Sequence, residues 1–313
     1  AYCCCALNAN TTGGGNTAVG SFSLNDATTG NNNTAVGFQA SRYLTTASST
    51  TTVGYLAGGG AGGASVMTGD NNTLVGKEAG KLITSGAENT AVGVSSLDAN
   101  TTGGNLVAVG MHSLGGNTTG NNNSALGHGA LLVNTTGSGN TAVGMASLDA
   151  NTTADNNVAI GYASLTSNTT GATNTSVGAL SLQENTTASH NTGVGYLSLG
   201  ANTTGSTNTA VGSLALDANT TGSSNTALGV QALSANTTAS NNVAVGKAAG
   251  ENVTTGSLNT IVGSAAMDAA TTASENVAVG YGALTTCTTG GANTAIGYVS
   301  MQNLTEGTNN TAV

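Results

Sequence analysis

An aliphatic residue followed at once by glycine returns along almost the whole chain, and the other residues fall into step with it. These glycines run Gly20, Gly37, Gly54, Gly76, Gly93, Gly110 and on to Gly297, each 17 residues after the last except Gly76, which follows Gly54 by 22. A fixed period of this length marks a stack of like units. The unit reads N-T-A-V-G-x-x-(A/S)-L-x-x-N-T-T-G-x-x. The residue before the glycine is Val, Leu or Ile, as at Val19, Leu126, Ile160 and Ile296. Ala or Ser stands three residues after it, and usually Leu four after, as at Leu97, Leu148, Leu165 and Leu216. Asn precedes it by four at Asn16, Asn89, Asn140, Asn208 and Asn293. The T-A-V run favours extended backbone, while the Gly and Asn columns tolerate positive φ at corners. Thr, Asn and Gly are poor helix formers and no 3.6-residue period is present, so helices are not expected.

These columns predict an all-β fold: a parallel β-solenoid of about 18 rungs with a 17-residue repeat, forming a single repetitive domain over 1–313. The five extra residues fall in the Gly-rich stretch 58–69 and are expected to bulge as a loop within it. Stacked Asn columns are expected to form side-chain amide ladders, as in cross-β structures. Val and Leu, about one each per rung, are expected to be the core. That apolar interior is thin against the entropy of ordering 17 residues per coil, so self-association is expected, as a lateral assembly or an end-to-end filament. Ala1 and Ala312 share one column, and a segment of something longer would look the same.

Composition sharpens the picture. Charged residues make up 5% of the chain and Pro is absent, where ordinary domains carry roughly 25% and about 5%. One repeated local solution explains this better than mixed elements. The net charge of −9, with Arg42, Lys77, Lys81 and Lys247 the four basic residues, argues against binding a phosphate backbone. No run of 18 apolar residues offers a membrane span. The chain opens with neither Met nor a leader pattern, as expected of a mature or trimmed chain.

The string N-V-A-I-G-Y-A-S-L at 157–165 resembles the head repeats of trimeric autotransporter adhesins of the YadA type. So do N-V-A-V-G-K-A-A-G at 242–250 and N-T-A-I-G-Y-V-S at 293–300. Similar repeats look like those of phage tail-fibre and appendage proteins. The repeat here is longer, with N-T-T-G added. The resemblance implies a left-handed parallel β-roll, a homotrimer of chains side by side, and display outside the cell or, for a tail fibre, on a virion.

Candidate chemistry is sparse. Asn-Thr-Thr follows the glycine by seven residues at Asn100, Asn117, Asn134, Asn151, Asn168, Asn185, Asn202, Asn219 and Asn236, and occurs also at Asn10, each an N-glycosylation acceptor pattern. Asn100, Asn151 and Asn219, each with Asp two residues before, are the strongest of these; the alternative is that Asn-Thr-Thr is corner and β chemistry only. The column after the glycine holds Tyr55, Tyr162, Tyr196, Tyr281 and Tyr298, which either stack on sugar rings or make subunit contacts. Cys3, Cys4 and Cys5 are consecutive and are candidates for interchain disulfides. Thr-Thr pairs raise an ice-binding alternative, but neighbours on a strand face opposite ways and T-x-T does not recur.

Asp98, Asp149, Asp217 and Asp268 share a column but stand three or four rungs apart, too far for a glycosidase-type pair. His112 and His128 fall on successive rungs with no Cys or acidic partner at ligand spacing, and His190 stands apart. No enzyme activity, cofactor, metal or nucleic-acid partner is therefore expected. The sequence reads as a structural extracellular fibre or adhesin shaft that attaches to surfaces, with a tail-fibre segment or an ice-binding solenoid as alternatives.

Overall fold

The structure, a computed structural model, describes residues 5–60 and 66–313, in two compact units, Ala1–Asn156 and Asn157–Val313. Cys3 and Cys4 lie outside the described residues. Each unit is a parallel β-solenoid with one short strand per turn. In the first, eight three-residue strands run from β1 (Thr17–Val19) through β3 (Thr51–Val53) and β4 (Thr73–Val75) to β8 (Thr141–Val143). In the second, ten run from β9 (Val158–Ile160) through β15 (Thr260–Val262) to β18 (Thr311–Ala312). No helix is present among the described residues.

Register follows the repeat. Thr17 pairs with Thr34 and Val19 with Val36, and the same alignment carries through both units. Across the 22-residue interval β3 and β4 still pair in step, Thr51 opposite Thr73. The Gly60 N–H bonds to the Lys81 carbonyl and the Met67 N–H to that of Tyr43, so the extra residues are confined between Gly60 and Met67. An in-register ladder on both sides of the insertion leaves no cost in the sheet.

Each strand ends where only glycine fits. Gly37 has φ +139°, and a Cβ added there would lie 2.4 Å from the Gly54 carbonyl oxygen of the next turn. The corners, however, do not rest on Gly and Asn alone. Leu97, Leu148, Leu165 and Leu216, four residues past the glycine, all have φ between 52° and 55°. An L-residue there pays on the order of 1 kcal/mol in backbone strain. Leu bears this because it branches at Cγ rather than Cβ, and because its side chain is fully buried.

The interior differs from expectation in one respect. Along each strand the middle residue points in and the outer two point out. Ala35, Ala91 and Ala210 are buried, whereas Val19, Leu126 and Leu228 are 53%, 51% and 47% exposed. The aliphatic residue before the glycine therefore belongs to the outer surface, and the core is Ala, Leu and stacked Asn. The reason is volume. Leu from the following corner already fills the space over the strand, leaving room for a methyl group only. Where the strand residue is large, the corner is stripped: Leu74 lies beside Gly58 and Gly80, and Ile261 beside Gly250. A Cβ at Gly80 would come within 2.8 Å of Leu74 Cδ1, and one at Gly250 within 2.7 Å of Ile261 Cδ1.

Candidate functional surface

The Asn of Asn-Thr-Thr turns out to be an interior residue. Asn100, Asn117, Asn134 and Asn151 in the first unit, and Asn168, Asn185, Asn202, Asn219 and Asn236 in the second, are fully buried. Each side-chain amide bridges two turns. Asn117 Nδ2 donates to Asn100 Oδ1 at 2.9 Å and to the Gly120 carbonyl at 3.1 Å, and Asn219 repeats this with Asn202 and Gly222. The nitrogen that a glycan would be joined to is thus committed and enclosed. A glycan at these nine positions is incompatible with this fold, and the corner-chemistry reading of Asn-Thr-Thr describes them. Asn10 is half-buried, with Nδ2 donating to the Gly13 carbonyl.

A second amide column runs beside the first. Asn208 Oδ1 accepts the backbone N–H of Asn225, and Asn208 Nδ2 donates to the Gly222 carbonyl. In the second unit this column is unbroken from Asn157 to Asn310. Both columns therefore feed one buried carbonyl per turn, which satisfies polar groups that would otherwise be costly to enclose. The first Thr of each Asn-Thr-Thr is also engaged, Thr118 Oγ1 donating to the Thr135 carbonyl at 2.9 Å.

What remains for contact with other molecules is the outer surface. Among the described residues no pocket opens and no cluster of His, Cys, Asp and Glu could hold a metal ion. Among the described residues no helix is long and apolar enough to cross a membrane. Each unit instead presents a ridge built from two adjacent columns. One is the aliphatic residue before the glycine; the other is the residue after it, where Met111, Met145, Val230 and the aromatic side chains stand exposed. The aliphatic column repeats at every turn and makes an apolar strip of the kind that marks contact surfaces, while the second column is interrupted by residues such as Lys77, His128 and Lys247.

The five candidate tyrosines of that column all lie on it. Tyr55, Tyr162, Tyr196 and Tyr281 are about half exposed, and Tyr298 is 76% exposed. Tyr281 and Tyr298 stack at 5.6 Å between ring centroids, and Tyr55 stacks on Phe38 at 5.7 Å. Tyr162 and Tyr196 have Ala179 between them in the column, and no ring pairs them. Cys5 is exposed and Cys287 buried, and neither is in a disulfide.

A further cluster was not singled out by the repeat. Arg42 lies over two rings, 5.0 Å from the centroid of Phe22 and 4.9 Å from that of Tyr43, and Phe22 meets Phe38 edge-on at 6.4 Å. The sequence signal was present: both Phe and three of the four basic residues fall within 22–81. Burial raises the carboxyls of Asp98, Asp217 and Asp268 above the usual carboxylate value, with backbone hydrogen bonds pulling the other way. Burial likewise pushes the Cys287 thiol up. The chain matches no known protein family and no characterised protein.

Proposed function

We propose that this chain is a structural component of an extracellular fibre or adhesin shaft, in which copies associate laterally through the aliphatic column before the glycine and the assembly mediates surface attachment. The observation that carries the reading is the outward aliphatic column, repeated at every turn. A chain whose interior holds mainly Ala, Asn and single Leu residues, and which turns Val, Ile and Leu outward, gains most from burying that column against another copy. The resemblance to YadA-type head repeats favours three chains side by side. The polar remainder, rich in Asn, Thr and Ser, keeps the other faces solvated. A tail-fibre segment on a virion would use the same physical design.

A second reading, ice binding, draws on the same sheet. Outward Thr and Val two residues apart, as in Thr17 and Val19, form ranks of hydroxyl and methyl groups. Sedimentation of the purified chain separates the two. A mass three times that of one chain, reduced to one by Val92→Asp, Leu126→Asp and Leu228→Asp together, supports the fibre reading. A monomer with thermal hysteresis overturns it in favour of ice binding.

A further inference from the structure

We propose that the aromatic and basic cluster on the early turns of the first unit is a binding site for an anionic saccharide, a chain bearing carboxylate groups such as a uronate polymer. The site is Phe22, Phe38, Tyr55, Arg42 and Lys77, with Tyr43 as the floor beneath Arg42. This inference rests on the attachment reading above and names the chemistry that the attachment would use.

The geometry divides into a stacking half and a charged half. Phe38 and Tyr55 lie nearly parallel, 9° between ring planes, and are 43% and 48% exposed. Stacked on one another across two turns, they form an apolar step at the surface. The polarised C–H groups on one face of a pyranose ring are attracted to the negative face of such rings. The rise of about 4.8 Å per turn is close to the length of a sugar unit, so successive residues of a chain can follow successive rings. Phe22, edge-on to Phe38, joins this step to the guanidinium of Arg42.

The charges explain why the ligand is an anion. In a chain of net charge −9, three of the four basic residues stand within this region, Arg42 on the Gly37 turn and Lys77 and Lys81 two turns further on. The acidic groups on these turns have partners other than Arg42. Glu78 lies 3.9 Å from Lys77 Nζ and 3.8 Å from Lys81 Nζ, and Asp26 Oδ1 accepts from Asn25. Asp70 Oδ1 accepts the Ser48 N–H. Arg42 makes no ion pair among the described residues, and its buried Nε has no hydrogen-bond partner. A guanidinium held about 5 Å from two ring centroids, with no acidic partner among the described residues, is pre-organised to meet a carboxylate through its terminal nitrogens. Lys77 occupies the column of Phe38 and Tyr55 one turn further on, so a bound chain that stacks on the rings runs toward a second cation, 59% exposed.

Calorimetric titration of the full chain with hexagalacturonate, and with maltohexaose as the neutral counterpart, tests this. The acidic hexamer is expected to bind at least tenfold more tightly, with affinity falling as salt rises. Arg42→Gln is expected to weaken it tenfold or more, and Phe38→Ala with Tyr55→Ala to abolish it. Tyr281→Ala with Tyr298→Ala, which removes a stacked pair that no cation contacts at a ring face, is expected to leave binding unchanged. Circular dichroism and sedimentation of each variant keep folding and assembly separate from binding. Equal affinity for the two hexamers, no binding by the intact chain, or loss of binding in the Tyr281 and Tyr298 variant overturns the proposal. So does a result in which Phe38→Ala with Tyr55→Ala alters only the oligomeric mass, since the rings are then a contact between copies. A monomeric chain that binds the acidic hexamer keeps this site while removing the lateral-assembly reading.

Discussion

Two stretches of the second unit place different chemistry at the same interior position. From Asn168 to Asn236 the position seven residues past the glycine is an amide ladder, whereas the next four turns hold Val253, Ala270, Cys287 and Leu304. Val253, Ala270 and Cys287 are fully buried. A buried ladder is ordinarily hard to interrupt, because its neighbours lose partners. Here the second column removes most of that cost. The Gly222 carbonyl receives both Asn219 and Asn208, so either alone suffices. In the apolar stretch the Ala273 carbonyl is held by Asn259 and the Gly290 carbonyl by Asn276. The mirrored case occurs in the first unit, where Leu106 replaces the second amide and Asn117 alone holds the Gly120 carbonyl. Redundancy at one carbonyl lets either column become apolar, but not both on the same turn.

A large expected effect tests that rule. Asn259→Leu removes the amide that holds the Ala273 carbonyl and should cost about 3 kcal/mol, combining an orphaned acceptor with the lost bond to the Asn276 N–H. Asn208→Leu leaves Gly222 served by Asn219 and should cost about half as much. Equal losses in urea unfolding would break the comparison.

The apolar stretch should instead be sensitive to volume. Ile261→Ala opens a cavity worth about 2–4 kcal/mol. Gly250→Leu alone clashes with Ile261, so the double variant should recover much of the loss, a coupling of about 1–3 kcal/mol in a double-mutant cycle. Additive effects would show that strand and corner volumes are independent.

Intact-mass measurement of chain secreted from a glycosylating host should find Asn100, Asn151 and Asn219 bare in all folded material. A glycan on any of them in protease-resistant protein would overturn the enclosed ladder.

The smallest effect is electrostatic. Asp217 lies in the amide stretch and Asp268 in the apolar one, and both carboxyls are raised by burial. The folded form binds the proton more tightly than the unfolded form, so stability should rise as pH falls through the raised value and level off below the ordinary carboxylate range. Asp217→Asn and Asp268→Asn should each flatten that rise by a similar amount. A gain confined to one stretch would tie the burial to the ladder chemistry.

Much of the architecture was legible because the repeat exposes it. The glycine column, the 17-residue step and the position of the insertion are all written in the spacing, and the Asn columns announced ladders. The facing of T-A-V was not legible. Ala and Val are both apolar and adjacent, so the pattern alone allows either to point inward. Nor does Leu advertise a left-handed backbone, since its intrinsic preference runs the other way. The Asn-Thr-Thr pattern was ambiguous for a related reason: a short polar triplet suits an exposed corner and a buried one equally until its hydrogen-bond partners are known. The Arg42 cluster breaks the repeat rather than following it, which is why column reading passed over it.

By itself, the sequence determined a stack of short parallel strands in register, because a fixed period with an invariant tight corner admits little else. Only the tertiary structure decided which side of each strand is the inside. That choice belongs to the turns packed together, where Leu from one corner and amides from two columns fill the interior and leave space for Ala but not for Val.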